Sequence, residues 1–322
     1  MKYVGLETQK SRNNTYSLLL LILFPCLVVG LVFLASYLLV EATYDSSGPY
    51  LDKWESTVEL FSGFAPIALT GVFIWFIIAY FANTSIIRSA TGSHPLQRKE
   101  NKRVYNLVEN LCMSQGMTMP KINLIHDDSL NAFASGINEK TYTVTLTQGI
   151  IDKLDDEELE GVIAHELAHI KNRDVRLLIV SIVFVGIFSM LAQMSFRMLG
   201  STSSSSSRKD KGGGILVIIL IALAVAAIGY LISTLLRFAI SRKREYLADA
   251  EGAQMTQKPY ALAKALQKIS ADPDVEAITR DDVAQLFIEH PGKQARGFLN
   301  SINGIFATHP PIKDRIKVLE QV

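Results

Sequence analysis

Residues 164–170 read Ala-His-Glu-Leu-Ala-His-Ile, and what this stretch becomes decides the fold. A helix start precedes it: Leu154-Asp155-Asp156-Glu157-Glu158 supplies an acidic first turn. Asp155 stands in the N-cap position, with Glu158, three residues on, as its capping-box partner. Leu159, Val162, Ile163, Leu167 and Ile170 recur at spacings of three and four, the helical period. On such a helix His165 and His169 point the same way and can reach one metal ion. Glu166 is turned about 100° away, beside the ion without having to ligate it. Two imidazoles with a carboxylate next to a bound water are what a zinc hydrolase needs. Two ordinary helix histidines would spell the same string, so the reading depends on a third ligand.

Working outward, the 322 residues are 49% hydrophobic, with a net charge of +1 and a mean hydropathy of +0.23. Without a basic excess, nucleic acid is not an expected partner. A lipid bilayer is, because four uncharged apolar runs are long enough to cross one as helices: 16–40, 64–87, 177–196 and 215–236. The first run is read as a retained anchor, since its apolar core exceeds a signal-peptide h-region and no small-x-small cleavage site follows. Cys26 and Cys112 lack metal-site spacing and read as structural.

Between runs one and two, residues 41–62 read as an acidic loop, with Glu41, Asp45, Asp52, Glu55 and Glu59 against Lys53. Arg88, Arg98, Lys99, Lys102 and Arg103 follow run two, which places the N-terminus and this segment in the cytoplasm by the positive-inside rule. Arg208, Lys209 and Lys211 between runs three and four oppose that rule, in a Ser- and Gly-rich loop over 201–214. The expected organisation is a transmembrane hairpin over 1–95, a soluble part with the His-Glu motif over 96–176, a second hairpin over 177–240, and a second soluble part over 241–322. Within the soluble parts, 102–115 has helical character, 121–126 and 141–146 read as strands, and 260–269 as an amphipathic helix.

Glu245 and Asp249 lie four apart at the end of run four, hence on one helical face. Alone they read as a solvated acidic face. Two spans separate His169 from Glu245, so both sites emerge on the same side of the membrane. If the motif helix runs on into the third span, His169 sits about 12 Å before residue 177, at 1.5 Å per residue. An antiparallel pair of spans then delivers Glu245 to the two imidazoles, a His-His-Glu set with one position open for water. Asp249 becomes the acceptor for the other N–H of a ligand imidazole.

With these residues in place, the chain resembles the HtpX-type membrane zinc metallopeptidases, relatives of the CAAX prenyl endopeptidases, from Lys99 onward. The resemblance implies a mainly α fold with a small β-sheet, four transmembrane helices and a cytoplasmic gluzincin-type zinc metallopeptidase domain. It implies one Zn2+ per chain on His165, His169 and Glu245, with Glu166 as catalytic base and Asp249 as the supporting acid. Asn131-Ala132-Phe133-Ala134 looks like the family's substrate-binding edge segment. His309-Pro310-Pro311-Ile312-Lys313-Asp314-Arg315 looks like its C-terminal element, whose histidine and arginine face the scissile carbonyl. Ser135 departs from the threonine often found there, and His94, His126 and His290 match nothing.

The activity implied is hydrolysis of misfolded or damaged membrane proteins at the cytoplasmic face of the cell inner membrane, as stress-linked quality control. Active site and both termini would be cytoplasmic. An extended peptide beside Asn131–Ala134 would pair mainly through its backbone, so sequence selectivity should be loose. CAAX-type processing of prenylated proteins is the nearest alternative, although its known agents have more spans around a closed chamber. A non-catalytic scaffold or holdase is a second alternative, against which the intact motif speaks. A metal transporter would need charged residues inside the spans, and these have none.

Overall fold

The computed structural model describes residues 6–43, 52–176, 212–270 and 310–321, with scattered helical positions between 179 and 197. Contacts divide the chain into two compact units: residues 18–79 with 180–236, and residues 1–17, 80–179 and 237–322.

The first of these is helical. Helix α1 (Leu6–Thr43) and helix α2 (Lys53–Thr91) contain two stretches of crossing length and hydropathy, Ile22–Ala42 and Lys53–Ile78. The second stretch is largely uncovered by protein, and Ile67 and Phe73 stand 68% and 65% exposed. Large apolar side chains that no protein covers call for an apolar solvent, so this is a membrane protein. In the 45-residue helix α6 (Gly212–Thr256) the apolar stretch is shorter, Val217–Ile232. Most of the expected third span lies outside the described residues, so two helices of crossing length are seen where four spans were expected. The acidic loop expected over 41–62 is also too long. α1 continues to Thr43, and Asp52 accepts from the Glu55 backbone N–H at 2.7 Å, capping α2. Asp52 and Glu55 thus begin a helix rather than fill a turn, and Glu41 lies in the last turn of α1.

The second unit is built on a four-stranded sheet of order β1-β2-β4-β3: β1 (His94–Pro95), β2 (Lys121–Ile125), β3 (Ala132–Ser135) and β4 (Thr143–Thr147). β2 and β4 run parallel, while β3 pairs antiparallel with β4 and ends the sheet. β4 alternates threonine with Val144 and Leu146, yet all five residues are buried, so both faces are covered. Helix α5 (Asp156–Lys171) packs on β3 and β4, with α3 (Lys102–Ser114) and α7 (Pro259–Ile269) against it, and α8 (Ile312–Leu319) packs on α7.

Two local devices fix the sheet to α5. Thr147 caps the short helix α4 (Gln148–Lys153), and its hydroxyl also reaches the Ser129 and Asn131 carbonyls. A Cβ on Gly149 would fall 2.0 Å from the Asp128 carbonyl oxygen, so only glycine lets that loop close over α4. α5 then starts with the expected capping box between Asp155 and Glu158, and Lys268 of α7 holds Glu158 at 2.6 Å.

Candidate metal centre

α5 carries His165, Glu166 and His169, all three on buried or nearly buried turns. α6 brings Glu245 and Asp249 to the same place, with Gly252 as the next residue on that face. A Cβ at Gly252 would stand 3.0 Å from the His165 backbone nitrogen, so the missing side chain sets how closely the two helices approach. His165 Nε2 and His169 Nε2 are 3.2 Å apart. The Glu245 carboxylate lies 3.7 Å from the first through Oε2 and 3.5 Å from the second through Oε1.

The outer nitrogens explain why this triad can hold a cation. His165 Nδ1 faces Asp249 Oδ1 at 2.9 Å, and His169 Nδ1 faces Asp174 Oδ2 at 3.1 Å. The Asp174 hydrogen bond keeps the proton on His169 Nδ1, and the Asp249 charge beside His165 Nδ1 favours the same tautomer there, which turns both Nε2 lone pairs inward. Two lone pairs and a carboxylate then converge, a set that repels itself unless a positive charge sits among them. Two atoms each about 2.0–2.1 Å from one tetrahedral ion stand roughly 3.3–3.4 Å apart. The measured separations bracket that figure, so the residues fit a metal ion.

Electrostatics agree. Burial works against charge on His169, but the Glu245 charge and the Asp174 hydrogen bond and charge outweigh it and hold its pKa up at about 9. Burial likewise works against the Asp249 anion. Arg315 and then His165 outweigh it, bringing the carboxyl down to about 2.

The supporting shell contains a residue that the sequence reading placed elsewhere. Arg315, fully buried, donates from Nε to Asp249 Oδ2 at 2.9 Å and from Nη2 to Asp249 Oδ1 at 2.7 Å. Its Nη2 is 3.5 Å from His165 Nε2, and its Nη1 is 3.8 Å from Glu245 Oε2. It was expected to face the substrate; here it clamps the acid that faces His165 Nδ1. α8 presents it because Ile312, Arg315 and Leu319 share the buried face of that helix. His309 lies outside the described residues.

Asp174 was not expected at the site at all. The motif helix does not run on into the third span without a break. It ends at Lys171 with Asn172 as C-cap, and Arg173 takes a left-handed φ of 60°. That reversal brings Asp174 back to His169, where Arg244 Nη1 also approaches it at 3.8 Å. Asn172 donates to Glu251 of α6 at 2.7 Å, tying the break to the helix that carries Glu245. An acid set among Lys171, Arg173 and Arg176 directly after the motif was the available signal.

Glu166 is 2% exposed and next to His165 on α5. Asn131 is buried before β3, its Oδ1 accepting from the Ala132 N–H at 3.1 Å, and Ala132, Phe133 and Ala134 form the edge strand. His94 and His126 lie apart from the centre, their rings tilted against each other at 4.4 Å. His290 lies outside the described residues.

Residues 98–322 match the model of peptidase family M48. A protein named Protease HtpX homolog from Bacteroides fragilis is 64% identical over 321 residues, covering 100% of both chains. Its namesake from Dictyoglomus thermophilum is 39% identical over 259 residues, covering 78% of this chain and 82% of that one. Among solved structures, S. mikatae Ste24p gives a TM-score of 0.45 at 19% identity, over 80% of this chain and 58% of that one. With a His-His-Glu cluster in place and a family match over most of its length, the chain belongs to peptidase family M48 and is a metalloprotease.

Proposed function

We propose that the protein is a zinc-dependent endopeptidase of the cell inner membrane that cleaves misfolded or damaged membrane proteins at the cytoplasmic face. The carrying observation is the convergence of His165, His169 and Glu245 to within 4.8 Å of one another, each imidazole backed by a carboxylate. Zinc suits this donor set, and when bound it supplies a water of lowered pKa and a Lewis acid for the scissile carbonyl.

In this reading Glu166 takes a proton from the attacking water and returns it to the leaving amine. His309 and Arg315 donate to the developing oxyanion in a water-poor cleft, where such donors are worth most. Arg315 has a further duty, holding Asp249 so that His165 keeps its tautomer. The peptide lies extended along Asn131–Ala134. Support for this comes from β3 ending the sheet, with a ladder partner, β4, on one side.

Four spans, with both termini and both soluble parts (96–176 and 241–322) in the cytoplasm, remain part of the proposal, resting on the apolar runs and the cationic segment after run two. The membrane setting favours membrane-protein substrates and, through them, quality control under stress. Processing of prenylated CAAX proteins is the second reading; a prenylated peptide assayed beside an unmodified membrane-protein loop separates the two. A non-catalytic holdase has no use for Glu166 buried beside two metal ligands.

The test is cleavage of an unfolded or membrane substrate by purified wild type and Glu166→Gln. Loss of cleavage with metal retained is expected. Equal cleavage by the variant would remove Glu166 from its role.

A further inference from the structure

Helix α6 turns two stripes of side chains towards the end of α5. Glu245, Asp249 and Gly252, at spacings of four and three, form the stripe that faces His165 and His169. Arg244 and Glu251 form a second stripe beside it. They are seven residues apart, which on a helix is two turns and about 10 Å. Neither belongs to the converging ligand set of His165, His169 and Glu245.

Both ends of the second stripe fall on the break after α5. Arg244, a buried residue, approaches Asp174 Oδ1 at 3.8 Å through Nη1, and Glu251 Oε2 accepts from Asn172 Nδ2 at 2.7 Å. Between these anchors stands Arg173 with its φ of 60°. Side chains other than glycine seldom adopt that region, and a residue persists there when its surroundings over-determine it. The two neighbours supply the hold. Asn172 is fully buried, its backbone N–H given to the Ala168 and Ile170 carbonyls, and Asp174 is buried with Oδ2 at 3.1 Å from His169 Nδ1.

The chain itself sets the dependence. Asp174 lies two residues beyond Asn172, so a change in the backbone rotation at Arg173 swings its carboxylate away from the imidazole. Glu251 grips the first residue of this reversal and Arg244 the last. The Glu251 charge is not what the position favours. Burial raises its carboxyl and Asp174 pushes it up as well, while the Asn172 hydrogen bond and then the charges of Lys171 and His169 draw it down. What Glu251 offers there is an acceptor for Asn172. We propose that Glu251 is a positioning residue of the metal centre: by holding Asn172 it fixes the reversal at Arg173 and so keeps Asp174 on His169 Nδ1, with Arg244 securing the far end. The proposal rests on His169 being a metal ligand.

The experiment uses the full chain in detergent, stripped of metal and titrated with Zn2+ against a chelator of known affinity. Co2+ in place of zinc then gives a visible spectrum that follows ligand geometry. Loss of the partner behind a ligand imidazole costs about 10- to 100-fold in metal affinity; Glu251 stands one contact further back, so Glu251→Ala should lose about tenfold. Glu251→Gln drops the charge and keeps an oxygen for Asn172, and should bind zinc within about twofold of wild type with an unaltered Co2+ spectrum. Glu251→Asp keeps the charge and withdraws the oxygen by one methylene. It should weaken zinc and shift the Co2+ bands as alanine does, and it carries the test if the alanine variant fails to fold. Asp155→Ala, which loosens the other end of α5, should change neither readout.

Unchanged zinc affinity in Glu251→Asp or Glu251→Ala would overturn the proposal. An equal loss in Glu251→Gln would assign the effect to charge, and an equal loss in Asp155→Ala would assign it to general loosening of α5; either result overturns positioning through Asn172. A wild-type protein that takes up no metal would sink the ligand reading itself, and this proposal with it.

Discussion

Replacing Asp249 with asparagine keeps the size of the side chain and removes its charge. In the native site two carboxylate oxygens take two N–H groups from Arg315, at 2.9 and 2.7 Å, and face His165 Nδ1 at 2.9 Å. An asparagine has one acceptor oxygen and must turn its NH2 towards a donor on one of these sides. Removing one partner of a buried ion pair costs about 3–5 kcal/mol, because the other charge stays buried. Losing the acceptor behind a ligand imidazole costs about 10- to 100-fold in metal affinity.

Titration gives an independent view of the same interaction. The folded pKa of about 2 lies below the ordinary 3.8. The carboxylate therefore stabilises the fold above the unfolded value, by about 2 kcal/mol at neutral pH, and the gain is lost as pH falls through the folded pKa. The mutational figure is larger because it includes the stranded guanidinium. Chelator competition and denaturant unfolding of Asp249→Asn measure the two effects. Combining it with Arg315→Met should restore part of the stability, since no unpaired cation remains. An Asp249→Asn protein that binds metal within about twofold of wild type and unfolds within about 0.5 kcal/mol of it would refute the clamp.

Three further outcomes follow from the geometry. Gly252→Val places a branched side chain against the His165 backbone, where even a Cβ stands at 3.0 Å, and should cost about 1–3 kcal/mol together with metal affinity; wild-type values for both would mean that α6 need not approach so closely. Asp155→Ala removes the capping-box acceptor of α5 and should lower stability by about 1 kcal/mol in a denaturant titration, without changing metal stoichiometry. Metal-free His169, with its pKa raised to about 9, gives stability that is complete below its usual 6.5 and is lost as pH rises through 9. A metal must displace that proton, so zinc addition at neutral pH should release about one proton and apparent affinity should rise about tenfold per pH unit up to 9; a pH-independent affinity would contradict this.

What the sequence made legible was local or fixed by connectivity. The α5 helix could be read because its cap, its acidic turn and its apolar period lie within one segment. Glu245 was placed beside the histidines by counting the expected membrane crossings, and Asp249 by its position one turn further along the same face; the 245–249 face does meet His165 in the structure. The role of Asp174 depends on a helix break at Arg173, and neither glycine nor proline marks that break. β3 was recognised only through a resemblance, because Ala-Phe-Ala-Ser has no polar alternation and all four residues are buried. Arg315 shows the limit of reading one residue at a time: its partner Asp249 is 66 positions away, on α6, while the helix that carries Arg315 packs on α7. Hydropathy placed the start of the second span at residue 64, although α2 begins at Lys53, because charged residues in a first helical turn look like loop to a hydropathy scale.

Metal content per chain, measured on wild type, Glu245→Gln and Glu166→Gln purified side by side, tests the centre most directly. One ion is expected in wild type and in Glu166→Gln, and a strongly depleted site in Glu245→Gln. Full occupancy of Glu245→Gln would contradict a His-His-Glu centre assembled by α5 and α6.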